Sequence, residues 1–215
     1  MIYPDRAAAG RALGGVLGHL RAADPLVLGL PRGGVPVAVA VRDVIGGDLD
    51  VLLVRKLGVP WQPELAMGAI GEDDVRVLNY DVVRHTGVTP DQLADIELVE
   101  RAELERRRGI LRAGPPIDLK DRTVVIVDDG MATGATVAAA CEIAGLHEPR
   151  RVVVAVPVSS VEALHRIREI ADEVVCPLVP RALGGVGGAY RDFHQLTDAE
   201  VVKLLRPTAS RDTDQ

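Results

Sequence analysis

Aromatic side chains are nearly missing from this chain, which has one Trp, three Tyr and one Phe in 215 residues. A core built without them must be filled by aliphatic side chains, and each aromatic that does occur becomes a candidate for a specific contact. Cysteine is scarce as well. Cys141 stands in a stretch that reads as helix and Cys176 in one that reads as an apolar strand. They lack the paired spacing of a zinc site, so both are read as buried free thiols. No apolar run approaches the roughly 18 to 20 residues that cross a bilayer, which excludes a spanning helix and predicts no membrane partner. Met1 to Gly10 does not show the basic-then-apolar order of a secretory signal, so a cytoplasmic location is expected. A net charge of −6 argues against general nucleic-acid binding and leaves room for a local anion site. No glycine-rich run ends in Gly-Lys-Ser or Gly-Lys-Thr, and no Gly-x-Ser-x-Gly elbow occurs, which excludes a P-loop and an α/β-hydrolase nucleophile.

What is present is ordinary for a globular domain: 47% hydrophobic and 26% charged residues, in a length that suits one substantial α/β domain. Arg6 to Ala22 carries Ala and Leu at helical spacing. Leu26 to Leu30 reads as a buried strand, stopped by Pro31-Arg32-Gly33-Gly34, after which Val37 to Ile45 is helical. Val51 to Val54 reads as a second strand ending on Arg55-Lys56, and the following stretch with Gly58, Pro60 and Pro63 is expected to be an irregular loop. Ala66 to Ile70 and Val75 to Leu78 read as short strands around an acidic turn, and Pro90 to Arg112 as a long helix with a solvated charged face. Strand Val124 to Val127, helix Val137 to Leu146, strand Val152 to Val156, helix Val161 to Ala171 and strand Val174 to Val179 complete an alternation. That order predicts a mainly parallel sheet with helices on both faces. A glycine-rich loop at Gly184 to Gly188 and a terminal helix from Thr197 to Leu205 follow, and Pro207 to Gln215 is expected to be a disordered tail or linker.

The most informative stretch is Val124-Val125-Ile126-Val127-Asp128-Asp129-Gly130-Met131-Ala132-Thr133-Gly134-Ala135-Thr136. Four buried apolar residues run into two adjacent carboxylates, and the carboxyl ends of parallel strands are where open sheets bind ligands. Gly130 and Gly134 allow tight turning. Thr133 and Thr136 place hydroxyls at the start of a helix, where backbone N–H groups make a cradle for phosphate. One segment thus offers an anion pocket beside two hard acceptors suited to sugar hydroxyls or a magnesium-bound sugar.

Strand, two acids, a short spacer and Thr-Gly-x-Thr resemble the phosphoribosyl-diphosphate motif of the type I phosphoribosyltransferases. The resemblance implies that Asp128 and Asp129 contact the ribose hydroxyls, and magnesium through those hydroxyls or water. It implies that Met131, Ala132, Thr133, Gly134, Ala135 and Thr136, with Gly130 leading in, hold the 5-phosphate. Two distant stretches are similar to the same family. Arg32-Gly33-Gly34 stands where the family has its pyrophosphate loop, and Arg55-Lys56 where a basic pair precedes a mobile lid, here Val59 to Glu72. The implied fold is a single α/β domain over residues 1 to 206, with a mainly parallel sheet flanked by helices and a small C-terminal hood from about residue 180. Within lid and hood, Trp61, Tyr190 and Phe193 are candidates to stack on a flat acceptor, and core packing explains them equally well.

The implied reaction is transfer of a phosphoribosyl group to a nitrogenous acceptor, with pyrophosphate released, magnesium as cofactor, and a homodimer as the expected assembly. Arg55 and Lys56 would stabilise the departing diphosphate. The sequence departs from the hypoxanthine and guanine enzymes, which carry an aspartate directly before the Thr-Gly pair. Here Ala132 stands there, so that general base is missing and the acceptor is left unassigned. His194 is a weak alternative base. A non-catalytic regulator that senses phosphoribosyl diphosphate is the competing reading; no helix-turn-helix or basic arm accompanies it.

Overall fold

A computed structural model describes residues 2–112 and 114–206; the expected tail at Pro207 to Gln215 lies outside them. Five parallel strands form the central sheet: β1 (Leu26–Gly29), β2 (Asp48–Val51), β6 (Thr123–Val127), β7 (Arg151–Ala155) and β8 (Glu173–Val175), in the order β2-β1-β6-β7-β8. Alternation along the strands splits the core between the two faces. Val27, Val125, Val127 and Val153 pack under α1 (Arg6–Val16) and α2 (Gly34–Ile45). Leu26, Leu28, Val124, Ile126 and Val154 face α5 (Ala135–Gly145) and α6 (Val161–Arg168). Strands buried on both faces read as continuous apolar runs, which is why β1 and β6 were visible in the sequence. The expected α/β fold with a parallel sheet between helices is the observed one.

The winding reverses between β1 and β6, whose register runs from Leu26↔Val124 to Gly29↔Val127. Ligand crevices in open parallel sheets form at such a reversal, outside the carboxyl ends of the strands. The turn after β1 and the acids after β6 therefore stand side by side.

The region after β2 differs from expectation. The second strand ends at Val51, and Arg55-Lys56 lies inside β3 (Val54–Val59). The segment expected as an irregular loop is a hairpin: β3 pairs antiparallel with β4 (Gln62–Gly71), which pairs with β5 (Arg76–Leu78) to make a second, three-stranded sheet. A bulge resolves the conflict with proline. The register shifts on both sides of Gly58, so Pro63 falls where the ladder is broken and no donor is required. A helix not foreseen, α3 (Tyr80–Thr86), follows, capped by Asn79. The long helix α4 (Pro90–Leu111) starts with Pro90 behind a Thr89–Gln92 capping box. The first helix stops at Val16 and tightens into a 3₁₀ turn over Leu17–Ala23. The last helix, α7 (Asp198–Leu205), packs with α4 and α2 around Val35, Leu104 and Val201.

The hairpin sheet rests on α5 through Ala69, Ala139 and Ile143. The N-terminal segment pairs with the chain after Ala189: Tyr3 N–H donates to the Ala189 carbonyl at 2.8 Å, and Arg191 N–H to the Tyr3 carbonyl at 2.9 Å. Among the described residues no helix is long and apolar enough to cross a membrane. Cys141 is a buried free thiol in α5, whereas Cys176, expected buried in a strand, lies just past β8 and is half-buried; burial pushes the two thiols up to about 12 and about 11.

Candidate functional site

The crevice is built from backbone in close contact. Leu30 N–H donates to the Val127 carbonyl at 2.9 Å, holding the exit of β1 against that of β6. A Cβ added at Gly33 would lie 1.9 Å from Asp129 Oδ2, and one at Gly34 would lie 2.4 Å from the Val127 carbonyl oxygen. No side chain fits either place, so the Arg32-Gly33-Gly34 turn can lie directly on the acid pair only as glycine.

Asp128 and Asp129 are half-buried at the end of β6. Burial pushes both carboxyls upward, and the Asp129 charge pushes Asp128 further. Against this, Arg6 steadies Asp129: its Nε donates to Asp129 Oδ2 at 2.8 Å. The guanidinium is held in turn by the His194 carbonyl at 3.0 Å and lies 3.9 Å from the centroid of the Phe193 ring. The Asp129 carbonyl accepts from the Tyr190 hydroxyl. Tyr190 and Phe193 stack on each other with centroids 5.0 Å apart. These two aromatics therefore pack and brace the acids, whereas Trp61, at the tip of the hairpin, is 58% exposed. The His194 imidazole turns to Asp192 at 2.9 Å and Glu200 at 3.5 Å, and Asp192 draws its pKa upward.

The loop after the acids is fixed from its outer side. Met131 N–H donates to the Val158 carbonyl, Ser160 N–H to the Met131 carbonyl, the Ser160 hydroxyl to the Ala132 carbonyl at 2.8 Å, and Arg166 Nη1 to the Thr133 carbonyl at 3.3 Å. Gly134 takes φ +73°, the left-handed region, and α5 begins at the next residue. Gly134 and Ala135 are buried, while Ala132, Thr133 and Thr136 are exposed at the helix start. Hydroxyls beside the amino end of a helix suit an anion.

The cations named from the sequence are compensated by acids. Arg55 Nε pairs with Glu100 of α4 at 2.6 Å, Lys56 Nζ with Glu64 of β4 at 3.2 Å, and Arg32 Nη1 reaches Asp198 of α7 at 3.8 Å. Arg55, Lys56 and Thr136 line one groove of about 300 Å³ between the hairpin and α4. The residues brought together are thus Gly33 and Gly34 with Asp128 and Asp129, and separately Arg55 and Lys56 with Thr136. Arg32 is drawn toward α7.

Several participants carry no sequence signal of their own. Arg6 is 123 positions from Asp129, and Ser160 is 28 from Ala132. Arg107 of α4, whose Nη1 donates to the Pro31 carbonyl at 3.4 Å, sits in a helix that reads only as a solvated face. Among the described residues no group of three or more His, Cys, Asp or Glu side chains could hold a metal ion by itself.

Comparison with known proteins identifies the family and the fold. The phosphoribosyl transferase domain family matches residues 6–190. A Mycobacterium tuberculosis protein named "Putative phosphoribosyl transferase Rv0571c" is 50% identical over 205 residues, which is 95% of this chain and 46% of that protein. The chain therefore spans under half the length of that relative. The "Bifunctional protein PyrR" of Chloroflexus aurantiacus is 32% identical over 155 residues, 69% of this chain and 76% of that one. The crystal structure of TT1426 from Thermus thermophilus superposes with a TM-score of 0.86 at 44% identity, covering 95% of this chain and 98% of TT1426. This chain belongs to the phosphoribosyl transferase domain family.

Proposed function

We propose that the chain is a phosphoribosyltransferase that binds phosphoribosyl diphosphate and transfers its phosphoribosyl group to a nitrogenous acceptor, releasing pyrophosphate. The observation that carries this reading is the contact of the Gly33-Gly34 turn with Asp128 and Asp129 across the β1/β6 reversal, where a single added Cβ would collide with a carboxylate. In this reading the two acids accept from the ribose hydroxyls. The loop from Met131 to Thr136 takes the 5-phosphate with its N–H groups and the Thr133 and Thr136 hydroxyls. The diphosphate lies against Gly33 and Gly34. The C1–oxygen bond to diphosphate breaks as the C1–nitrogen bond forms, through a transition state with oxocarbenium character. The chain contributes mainly position, and charge from Arg55 and Lys56 at the departing oxygens. The β3–β4 hairpin would close over the reacting centre and exclude water, which would otherwise capture the activated ribose.

Magnesium fits this donor set as an ion that arrives with the substrate: two adjacent hard carboxylates are present, and a protein cage of three or more ligands is not, among the described residues. Asp128 and Asp129 would hold it through the ribose hydroxyls or water. When bound, it supplies neutralisation of the diphosphate charge. Ala132 and the other exposed loop residues provide no carboxylate base toward an acceptor, so the acceptor is left open to a panel of nitrogen nucleophiles. A homodimer acting in the cytoplasm belongs to the same proposal; sedimentation would check the dimer.

The test is pyrophosphate release from phosphoribosyl diphosphate and magnesium across nucleobases and other nitrogenous acceptors. Release that depends on one acceptor supports the enzyme and names its substrate. Binding without release on every acceptor contradicts it in favour of a sensor.

A further inference from the structure

Glu64 is an acid in a place where the proposed function needs an anion. From β4 of the hairpin, its Oε2 accepts from the Thr133 hydroxyl of the phosphate loop at 3.3 Å, while its Oε1 accepts from Lys56 Nζ at 3.2 Å. A hydroxyl at the start of a helix and an ammonium group are the donors a phosphate oxygen would take. Thr133 also accepts from Ala135 N–H at 3.3 Å, which orients its hydroxyl at the first turn of α5. The Lys56–Glu64 pair alone would be an ordinary exposed pair within a hairpin, since Glu64 is 66% exposed. The bond to Thr133 makes it more, because it joins lid to phosphate loop across 69 positions of sequence.

We propose that Glu64 is a built-in stand-in for substrate phosphate. In the empty protein its carboxylate bridges Thr133 and Lys56 and holds the hairpin down on the loop. Arrival of a phosphate at Thr133 expels it, by competition for the hydroxyl and by like-charge repulsion, and Lys56 is released to the incoming anion. Glu64 then lowers affinity for the phosphorylated ligand and couples its binding to movement of the lid. This inference rests on the phosphate pocket proposed above and adds the residue that guards it.

The experiment compares the wild type with Glu64→Gln and Glu64→Ala. Phosphoribosyl diphosphate with magnesium is titrated calorimetrically at low and high salt, and hydrogen exchange of the hairpin is followed in the ligand-free proteins. Both variants should bind more tightly, by roughly two- to fivefold, the range of an exposed charge pair, and the gain should shrink as salt rises. Their hairpins should exchange faster than the wild-type hairpin. Equal or weaker binding by both variants, or unchanged exchange, overturns the inference. If no protein binds, the phosphate-site reading fails on its own account, and the exchange comparison still decides whether Glu64 fastens the hairpin.

Discussion

Two buried arginines show how the same residue serves different ends in this fold. Arg112, just past the end of α4, is 8% exposed at its side chain and saturated: it donates to both oxygens of Asp50, to both oxygens of Glu72 and to the Val51 carbonyl. It staples helix, β2 edge and hairpin sheet together beside a separate cavity of about 230 Å³. Arg6 is 9% exposed at its side chain, yet it meets one carboxylate, one carbonyl and one ring. Its carboxylate is Asp129, at the ligand edge of the sheet. The first arginine closes a structural knot, and the second holds half of an acid pair whose charge the fold keeps at a cost.

The largest effect should come from breaking the knot. Arg112→Ala leaves Asp50 without a cation and Glu72 with only Arg108 at 3.8 Å, and urea unfolding should show a loss of about 3 kcal/mol. Affinity for phosphoribosyl diphosphate per folded molecule should be unchanged. Next comes the crevice. Gly33→Ala places a methyl group where Asp129 stands, and a displacement of about 1 Å at such a site should cost on the order of a hundredfold in the rate of pyrophosphate release. The circular dichroism of the protein should be retained.

Arg6→Ala separates the two arginines most clearly. It should lower affinity about tenfold, equivalent to about 1.4 kcal/mol, because Asp129 loses its partner and the hood loses its tie to the acids. Loss of affinity equal in the Arg6 and Arg112 variants would erase the distinction.

The smallest effect is a gain. Burial raises the Asp128 carboxyl above its ordinary value of 3.8. Below that value both folded and unfolded chains hold the proton, and the acid costs nothing. As pH rises through 3.8 the unfolded chain ionises first, so stability falls until the folded acid ionises too, and the cost then persists through neutrality. Asp128→Asn should therefore raise the free energy of unfolding at pH 7 by about 1 kcal/mol, even as it weakens ligand binding. The gain should vanish in melts below pH 3.8.

What could be read from the sequence follows physical locality. β1, β6 and β7 are runs of apolar residues with one structural outcome, and the motif from Asp128 to Thr136 is contiguous, so both the parallel sheet and the heart of the candidate site were legible. The hairpin was not. Gly58, Pro60 and Pro63 break a strand pattern locally, and only the pairing partner shows that a bulge absorbs Gly58 and Pro63 while Pro60 falls in the turn. Glu100 and Arg107 looked like solvated charges of α4, and their engagement with Arg55 and Pro31 depends on how that helix lies against the crevice. Arg6 could not be found at all, because its role arises when the N-terminal segment pairs with the chain around Tyr190.

Asp128 and Asp129 are proposed as the ribose-binding acids of a phosphoribosyl-diphosphate site. The most direct measurement is calorimetric titration of phosphoribosyl diphosphate with magnesium into the wild type and into the double variant Asp128→Asn, Asp129→Asn. The wild type should bind saturably and the double variant not at all, while the double variant should still unfold cooperatively. Equal affinity in the two proteins, or no binding by the wild type, would contradict it.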